Sequence, residues 1–437
     1  MAAAINDPAL QVLIDRVASA RAAGAQLCIH GGCSKNFYGE APQGELLDAR
    51  VLEGISSYEP TELVVTARCG TALAELEAVL AEKGQCLAFE PPHYAAGATV
   101  GGMVAAGLSG PSRAAVGAVR DHVLGATLLN GRGEVLSFGG QVMKNVAGYD
   151  VSRLLAGSLG TLGVILEVSL KVLPLAPATA TLRFDMAQAE ALQQLNRWGG
   201  EPLPLNASAW WNDSLLLRLR GAWAAVRAAI DRLGGEAIEP AAATTFWDGL
   251  RNHEDAFFVR AATAVQGGAA LWRLSLPQTA APVDLSGEQL IEWGGAQRWL
   301  CSDDAASAVR DAAAQAGGHA TLFMADDKSA GVFAPLKSRN DPVPTANECG
   351  TRMLPQYCGI YTVLYVSSTP NHSTPPIESG SVERDWATKE KPVCCVEVAR
   401  SLKYSCSPTF HVSGRQRYGR SYGPAPMSLV MSSAVPS

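Results

Sequence analysis

Apolar and polar positions divide the first 175 residues into short strands and helices. Apolar residues recur at helical spacing in the segment that follows Asp7, and an Asp before a Pro is typical of a helix start. The run ELVVTA, residues 62–67, predicts a strand. The next segment, TALAELEAVLAEKG, predicts an amphipathic helix with Thr71 as its N-cap and Gly84 at its end.

Strand patterns continue beyond this helix. The segment VLGATLLNGRGEVLSFG, residues 123–139, predicts a β-hairpin that turns at residues 130–133. The run GVILEVSLKVLPL, residues 163–175, predicts a further strand that is closed by prolines. A strand followed by a helix is then predicted twice, in residues 180–198 and 214–235, which favours a small α+β second domain.

The pattern changes abruptly near Leu336. From KSRNDPVPTANECG onward Ala becomes scarce, Ser and Pro become frequent, and half of the ten cysteines appear. We therefore divide the chain into residues 1–175, 176–336 and an atypical tail, 337–437. The tail is either a poorly ordered extension or the product of a shifted reading frame. We favour the frame shift and assign the tail no function.

Composition and charge restrict the class of protein. The 437 residues suffice for two or three domains, and the net charge of -6 argues against nucleic-acid binding. The N-terminal residues lack the charged and apolar regions of a signal peptide, and no apolar run reaches the ~20 residues of a membrane span. We therefore expect a cytoplasmic protein with reduced thiols. We expect no metal site, because none of the cysteines has C-x-x-C spacing.

The first candidate site is the segment CIHGGCSKNFYGE, residues 28–40. An apolar strand leads into Gly31 and Gly32, whose backbone N–H groups can converge on one concavity. Such a nest binds phosphate oxygens, and Ser34, Lys35 and Asn36 add donors. An ordinary glycine turn is the alternative for this segment alone. Neither a Walker loop nor a G-x-G-x-x-G fingerprint is present here.

Two further glycine-rich segments follow. EPPHYAAGATVGGMVAAGLSGP, residues 90–111, contains five glycines, each of which costs an isolated helix about 1 kcal/mol relative to Ala. Tertiary contacts or a ligand must offset that cost, and close packing of a helix through small residues is the alternative to a ligand. The third segment, residues 143–172, has glycines at 157, 160 and 163 that lead directly into a strand.

In order and spacing, these three segments resemble the FAD-binding domain of the vanillyl-alcohol oxidase and p-cresol methylhydroxylase (PCMH) superfamily. The resemblance covers about residues 10–175. Beyond it, LNRWGGEPLPLNASAW, RLRGAWAAVRAAIDRLGGE and DKSAGVFAPL are similar to FAD-binding subunits of bacterial glycolate oxidases, as far as about Leu336. The fold class implied is α+β, with a two-subdomain PCMH-type FAD-binding domain followed by a small, cap-like α+β domain.

The resemblance assigns FAD-binding positions in all three segments. The pyrophosphate loop would comprise Gly31, Gly32, Cys33, Ser34, Lys35 and Asn36. The segment beside the flavin would contribute Thr99, Gly101, Gly102 and Ala105, with Gly110 just beyond, and the adenine-side strand would contribute Gly160 and Ile165.

Some relatives carry a flavin-linked His where this chain has Cys33. Covalent attachment through Cys33 is one hypothesis, and we favour a small thiol without that role. His30 could contact phosphate, although a partly exposed loop histidine is the alternative that we favour. For Arg113 and residues 120–122 we expect a solvated charged turn.

Catalytic residues stay unassigned. Members of the superfamily transfer a hydride from a hydroxy acid to the flavin, with the carboxylate held by Arg and the proton taken by His or another base. His253 has Arg251, Glu254 and Asp255 nearby, but a polar helix surface explains this group equally well. His319 and the loop 324–331 are the other candidates, and no spacing among them requires catalysis.

The resemblance implies an FAD-binding subunit of a glycolate oxidase complex that converts glycolate to glyoxylate. Its partners would be a larger FAD-containing subunit and an iron–sulfur subunit, since this chain has no cysteine pattern for such a cluster. The complex would lie in the cytoplasm, at the inner face of the membrane. The alternatives are a stand-alone FAD-dependent 2-hydroxy-acid dehydrogenase and a non-catalytic scaffold subunit with a vestigial flavin pocket.

Overall fold

The N-terminal helix, α1 (Pro8–Ala23), begins at the predicted local signal. The Asp7 carboxylate accepts hydrogen bonds from the backbone N–H groups of Ala9 and Leu10, and Gly24 ends the helix with a φ of 65°. The computed structural model describes residues 7–140 and 150–334 and the backbone of residues 363–364. All of them belong to one unit of the chain, Met1–Pro370.

Residues 7–174, called the first half of the chain below, contain mainly short elements; residues 175–364 are called the second half. After α1, its helices are α2 (Leu73–Glu82), α3 (Val100–Ala106), α4 (Arg113–Val116), α5 (Val119–His122) and α6 (Val151–Leu154). Its strands are β1 (Leu27–His30), β2 (Glu45–Asp48), β3 (Ile55–Glu59), β4 (Val64–Arg68), β5 (Gln85–Cys86), β6 (Val123–Leu129), β7 (Val135–Gly139), β8 (Val164–Lys171) and β9 (Leu173–Pro174).

Longer elements form the second half. Its helices are α7 (Gln188–Gly199), α8 (Trp223–Leu233), α9 (Pro240–Asn252), α10 (Ala256–Gln266) and α11 (Ala306–Gln315). Its strands are β10 (Ala178–Asp185), β11 (Leu205–Trp211), β12 (Ser214–Gly221), β13 (Glu236–Ala237), β14 (Ala270–Ser275), β15 (Glu288–Glu292), β16 (Gln297–Ser302), β17 (His319–Met324) and β18 (Val363–Leu364).

The strands of the described residues form four sheets. A three-stranded sheet has the order β18-β1-β2, in which β1 and β2 are parallel, and β5 pairs with β9. A five-stranded antiparallel sheet has the order β3-β4-β8-β6-β7. An eight-stranded antiparallel sheet, β13-β10-β12-β11-β15-β16-β14-β17, contains strands from residues 178–324 only. Helices and mainly antiparallel sheets together confirm the α+β class.

The core of the first half lies on the central strands β4, β8 and β6. Buried side chains such as Val65, Val168 and Leu128 pack with Leu73 and Leu76 of α2. The predicted hairpin is confirmed: β6 and β7 pair from Leu129 opposite Val135 onward, and the Asn130 side chain caps the turn. Both strand–helix units, β10–α7 and β12–α8, are also confirmed.

The predicted N-cap of α2 is wrong, whereas Gly84 ends the helix as predicted. Ala72 occupies the N-cap position without a side-chain hydrogen bond. Gly84, which follows the C-cap residue, has a φ of 66° and donates its N–H to the carbonyl oxygen of Ala81. Thr71 is fully buried, and its hydroxyl bonds to both the N–H and the C=O of Gly54. The hydroxyl therefore satisfies the backbone of another segment, which the local sequence does not reveal.

The expected charged turn is wrong for His122 and for Arg113. His122 is 3% exposed, its ring lies against Phe89, and its nitrogens contact the carbonyl oxygens of Val116 and Lys171. The Arg113 guanidinium lies over the Trp293 ring, 4.4 Å from its centroid. Arg120 and Asp121 are exposed, as predicted.

Two predictions concern residues beyond the described ranges. Of the tail, 337–437, the structure describes only the backbone of β18, which pairs antiparallel with β1. The hypotheses of a poorly ordered or frame-shifted tail otherwise lie outside the described residues, as do residues 143–149 of the third glycine-rich segment. The division at residue 175 stays a prediction. Among the helices within 7–140 and 150–334, none combines the length and hydropathy of a bilayer-crossing segment.

Candidate functional site

The three glycine-rich segments line a single cleft. The cleft encloses ≈ 980 Å³, including the space open to solvent. Twelve of the thirteen predicted positions line it: Gly31, Gly32, Cys33, Ser34, Lys35, Asn36, Thr99, Gly101, Gly102, Ala105, Gly160 and Ile165. The thirteenth, Gly110, does not line the cleft and instead borders a second, smaller cavity.

Close backbone contacts bring the first two segments together. A Cβ atom on Gly32 would lie 1.4 Å from the carbonyl oxygen of Gly97, which leaves no room for any side chain. A Cβ atom on Gly101 would lie 2.6 Å from the Cβ of Cys69, on the end of β4. Close packing, the alternative to a ligand, thus explains part of the glycine content. The packing also builds the wall of the cleft.

The second segment forms a short helix despite its glycines. Thr99 is the N-cap of α3, and its hydroxyl accepts a hydrogen bond from the N–H of Gly102. Gly107 ends the helix with a φ of 66°. Because α3 packs against β8 and β4, tertiary contacts offset the low helix propensity of its glycines.

The first loop presents backbone donors to the cleft. Within the described residues, the backbone N–H groups of Gly32, Cys33, Ser34 and Lys35 donate to no acceptor. Cys33 has a φ of 56°, and alternation of left- and right-handed backbone lets successive N–H groups converge. A donor set of this kind suits the oxygens of an anion such as a diphosphate. The cleft and its donors therefore fit a dinucleotide.

Lys35 adds charge beside this loop. Its Nζ donates to the Ser34 hydroxyl at 3.2 Å and to the His93 carbonyl oxygen at 3.4 Å. Burial, and secondarily the nearby Arg251 guanidinium, lowers the pKa of Lys35 to about 8. The side chain is therefore mainly protonated at neutral pH, and an anion in the cleft would favour its charged form.

Cys33 and His30 form a pair on the cleft wall. The Cys33 Sγ lies 2.8 Å from the His30 Nδ1, and the thiol is exposed. His30 is half-buried, in agreement with the expected partly exposed histidine. All five cysteines in the described residues are free thiols.

The second cavity lies between Leu108–Pro111 and the eight-stranded sheet. It encloses ≈ 290 Å³, including solvent-open space, and mainly polar side chains line it. These are Tyr94, Ser109, Arg251, His253, Arg273, Glu292 and Gln297. The Arg273 Nη2 donates to the Tyr38 hydroxyl at 3.2 Å, and Tyr38 lines the first cleft. A hydrogen bond thus joins a residue that lines one space to a residue that lines the other.

His253 is not on a polar helix surface, which corrects the sequence-based interpretation. It ends α9 with a φ of 59°, and its ring stacks on Phe258 with 3.6 Å between centroids. Trp299 and Phe323 contact the same ring. Burial, followed by the charge of Arg273, lowers the pKa of His253 well below its ordinary value, so the imidazole is neutral.

The charged residues next to His253 in the sequence make contacts elsewhere. Arg251 donates to Glu77 at 2.5 Å and to the Pro91 carbonyl oxygen at 2.6 Å. Asp255 caps α10 by accepting from the Phe258 N–H, and Glu254 is exposed. Arg251 therefore holds the second half of the chain against the segment that leads into α3.

The remaining candidates, His319 and the loop 324–331, border neither space. His319 is half-buried, and burial, with Arg273 nearby, lowers its pKa. Lys328 donates to the carbonyl oxygens of Phe37 and Gly39 at 2.7 and 2.8 Å. The loop therefore positions the end of the first segment.

Sequence reasoning missed Tyr38, Arg273 and Glu292. A signal was present for two of them, because Arg273 and Glu292 are charged residues inside the apolar runs ALWRLSL and QLIEW. Charged residues are rarely buried unless they are paired or functional. Both side chains are in fact buried, at 7% and 4% exposure.

Glu292 makes the folded chain sensitive to pH. Burial raises its pKa to about 7, although Trp299 and Gln297 donate hydrogen bonds to it. Between its ordinary pKa of 4.5 and about 7, the folded state holds a proton that the unfolded state has lost. This carboxyl therefore lowers stability as pH rises across that window, by up to about 3 kcal/mol at 1.36 kcal/mol per unit.

We expect Glu292→Gln to remove this loss. The variant should match the parent near pH 5 and exceed its free energy of unfolding by about 2–3 kcal/mol at pH 8. Urea denaturation of both proteins at the two pH values measures the difference, in which the other titrating groups cancel. An equal loss of stability in parent and variant would contradict the assignment to Glu292.

Comparison with known proteins agrees with the geometry. A family model described as an FAD binding domain matches residues 10–139. The glycolate oxidase subunit GlcE of Escherichia coli (strain K12) is 47% identical, over 75% of this chain and 90% of that protein. The glycolate oxidase subunit GlcD of Bacillus subtilis (strain 168) is 30% identical, over 32% of this chain and 29% of its own length.

Solved structures share the fold. An alkyldihydroxyacetonephosphate synthase superposes with a TM-score of 0.52 and 14% identity, covering 70% of this chain and 69% of that one. The fold similarity and the 47% identity extend well beyond the residues of the family model. The chain therefore belongs to the family of glycolate oxidase GlcE subunits and has the PCMH-type FAD-binding fold.

Proposed function

We propose that the chain is the FAD-binding subunit of a complex that oxidises glycolate to glyoxylate. The observation that carries the proposal is the single cleft, in which three separated segments meet and four consecutive backbone N–H groups have no acceptor among the described residues. The GlcE relative supports the glycolate assignment. FAD binding and oxidoreductase activity are common to the relatives of this chain.

Each segment has a role in holding the cofactor. The N–H groups of residues 32–35, with the side chains of Ser34 and Asn36, would bind the diphosphate. Thr99, Gly101, Gly102 and Ala105 would lie beside the flavin, and Gly160 and Ile165 at the adenine end. We infer that FAD is held without a covalent bond, so Cys33 acts as a small thiol. When bound, FAD supplies an acceptor for the hydride of a hydroxy acid.

The complex would include a larger FAD-containing subunit and an iron–sulfur subunit. The GlcD relative is named as a subunit of the same kind of oxidase, which supports the first partner. The sequence has no cysteine pattern typical of an iron–sulfur cluster, which supports a separate subunit for onward transfer of electrons. We place the complex in the cytoplasm, at the inner membrane face, and the domain division at residue 175.

An absorption spectrum of the purified chain tests the proposal. We expect FAD to bind in titration, to give a flavin spectrum, and to leave on denaturation. Glycolate should bleach that spectrum only when the partner subunits are present. Protein that takes up no FAD would favour a scaffold with a vestigial pocket. Bleaching by glycolate without partners would favour a stand-alone dehydrogenase.

A further inference from the structure

The Lys35 side chain is a half-buried cation that no carboxylate of the described residues balances. Within residues 7–140 and 150–334, its ammonium makes no ion pair. The carboxylate of Glu77, which contacts the His93 ring, already pairs with Arg251. A partly buried charge without a counter-charge is costly, and an anion in the cleft that Lys35 lines would offset that cost.

The neighbouring hydroxyl gives this cation a specific task. We propose that Lys35 is a positioning residue that acts through Ser34: its ammonium directs the Ser34 hydroxyl toward the FAD diphosphate, so that the affinity for FAD falls when the ammonium loses its proton. The inference rests on the proposed function, because it concerns how the same cleft holds FAD and at which pH it does so.

The contacts of Lys35 hold its charge beside the Ser34 hydroxyl. Its Nζ donates to the Ser34 Oγ at 3.2 Å and to the His93 carbonyl oxygen at 3.4 Å, and it lies 5.5 Å from the centroid of the Tyr94 ring. An ammonium has three donors and no acceptor, so Ser34 must accept from Lys35. The Ser34 O–H donates to no acceptor among the described residues, and Ser34 lines the cleft. Its proton is therefore available to a phosphate oxygen.

Loss of one proton would reverse this arrangement. A hydroxyl that accepts a hydrogen bond from a cation is polarised and becomes a stronger donor to an anion. The neutral amine of a deprotonated lysine has a lone pair, to which the Ser34 O–H can donate instead of to the phosphate. Deprotonation thus removes a positive charge beside the diphosphate and also turns away one of its donors.

The groups that face Lys35 allow it to titrate near neutral pH. Burial, and secondarily the Arg251 guanidinium, lowers its pKa to about 8. Burial raises the pKa of Tyr94, so the phenol stays neutral in this range. Glu77 lies between Arg251 and the His93 ring and bonds to both. A bound diphosphate would raise the pKa of Lys35 again, because opposite charges favour the charged form.

The sign of the pH dependence follows from this pair of states. The FAD affinity is fully present below the pKa of the cofactor-free chain, about 8, and is lost as pH rises through that value. Between pH 7 and pH 9 the affinity should therefore fall about tenfold, since one pH unit above the pKa corresponds to about a tenfold change.

Titration of the cofactor-free full chain with FAD at pH 7 and pH 9, followed by flavin fluorescence, tests the inference. Lys35→Met should bind FAD about tenfold more weakly than the parent at pH 7 and nearly as the parent does at pH 9. Lys35→Arg, whose guanidinium keeps its charge, should bind tightly at both pH values. Cys33 and His30 of the same loop are present in all of these proteins, so their own titration cancels in the comparison.

Ser34→Ala separates action through the hydroxyl from a direct effect of the charge. Lys35→Met should weaken FAD binding by only about twofold when Ser34 is already Ala, against about tenfold in the parent. Lys171→Met is the matched control. Lys171 is a half-buried lysine at the end of β8 that lines neither space. This variant should match the parent at both pH values.

A parent that binds no FAD at pH 7 would overturn the proposed function itself. Three outcomes would overturn the inference alone: equal affinity of the parent for FAD at pH 7 and pH 9, the same pH dependence in the parent and in Lys35→Met, and an undiminished effect of Lys35→Met in the Ser34→Ala chain. Circular dichroism checks the fold of each protein at both pH values. If Lys35→Met does not fold, Ser34→Ala decides, because its affinity should change only about twofold over the same range.

Discussion

Replacing Gly32 by Ala is expected to lower the affinity for FAD by at least about a hundredfold. The added Cβ would overlap the carbonyl oxygen of Gly97, 1.4 Å away, so the loop must move off the second segment. That movement displaces the N–H groups of residues 32–35 from the cleft. The loss of two hydrogen bonds to a charged group, at about 1.5–3 kcal/mol each, accounts for a change of this size.

Gly199→Ala provides the control for this substitution. Gly199 is the last residue of α7, and a Cβ there would meet nothing within 4 Å. The control variant should bind FAD like the parent. Titration of the cofactor-free proteins, followed by flavin fluorescence, measures the affinities, and circular dichroism checks the fold. A Gly32→Ala protein that binds FAD within a fewfold of the parent would show that the loop does not form the diphosphate site.

Glu90→Gln is expected to destabilise the folded chain by about 3–5 kcal/mol. The Glu90 carboxylate pairs with Arg218 at 2.6 Å and with Arg220 at 3.0 Å, and the Arg218 side chain is only 4% exposed. Burial by itself raises the pKa of Glu90, but the two arginines outweigh it and hold the pKa below 4.5. The neutral amide would leave a buried guanidinium without its counter-charge.

Chemical denaturation of three proteins near neutral pH measures this effect. The free energy of unfolding should be lower for Glu90→Gln than for the parent. The double variant Glu90→Gln with Arg218→Met should lie between them, because removal of both charges restores part of the lost stability. The parent should also lose this contribution in acid, as pH falls below 4.5 through the lowered pKa of Glu90. Equal stability of the parent and the single variant would show that the pair contributes nothing.

Local signals account for the elements that the sequence predicts well. Asp7 before Pro8 fixes the start of α1, and Asn130 in a polar turn fixes the β6–β7 hairpin. Each signal acts within a few residues, so a single sequence contains it in full. Thr71 shows the limit of this reasoning, since its hydroxyl serves Gly54, 17 residues earlier.

The candidate site likewise has one part that the sequence predicts and one part that it does not. The cleft segments are recognisable because glycine spacing and a preceding strand are local features. The surroundings of His253 are not, because Phe258, Trp299 and Phe323 reach its ring from separate elements. Ion pairs such as Arg218 with Glu90 join residues 128 positions apart. Contacts of this range depend on the completed fold and leave no pattern in either segment.

Some of the contacts that support the cleft come from residues outside the range of the family model. The family model matches residues 10–139, yet the central strand of the five-stranded sheet, β8, lies beyond them. The Asn252 side chain also accepts a hydrogen bond from the N–H of His93, and Lys328 donates one to the carbonyl oxygen of Phe37. Both Asn252 and Lys328 lie in the second half of the chain. Residues 10–139 therefore do not contain all of the contacts that support the cleft. A fragment cut at those boundaries would lose the supports that keep the loop of residues 28–40 in shape.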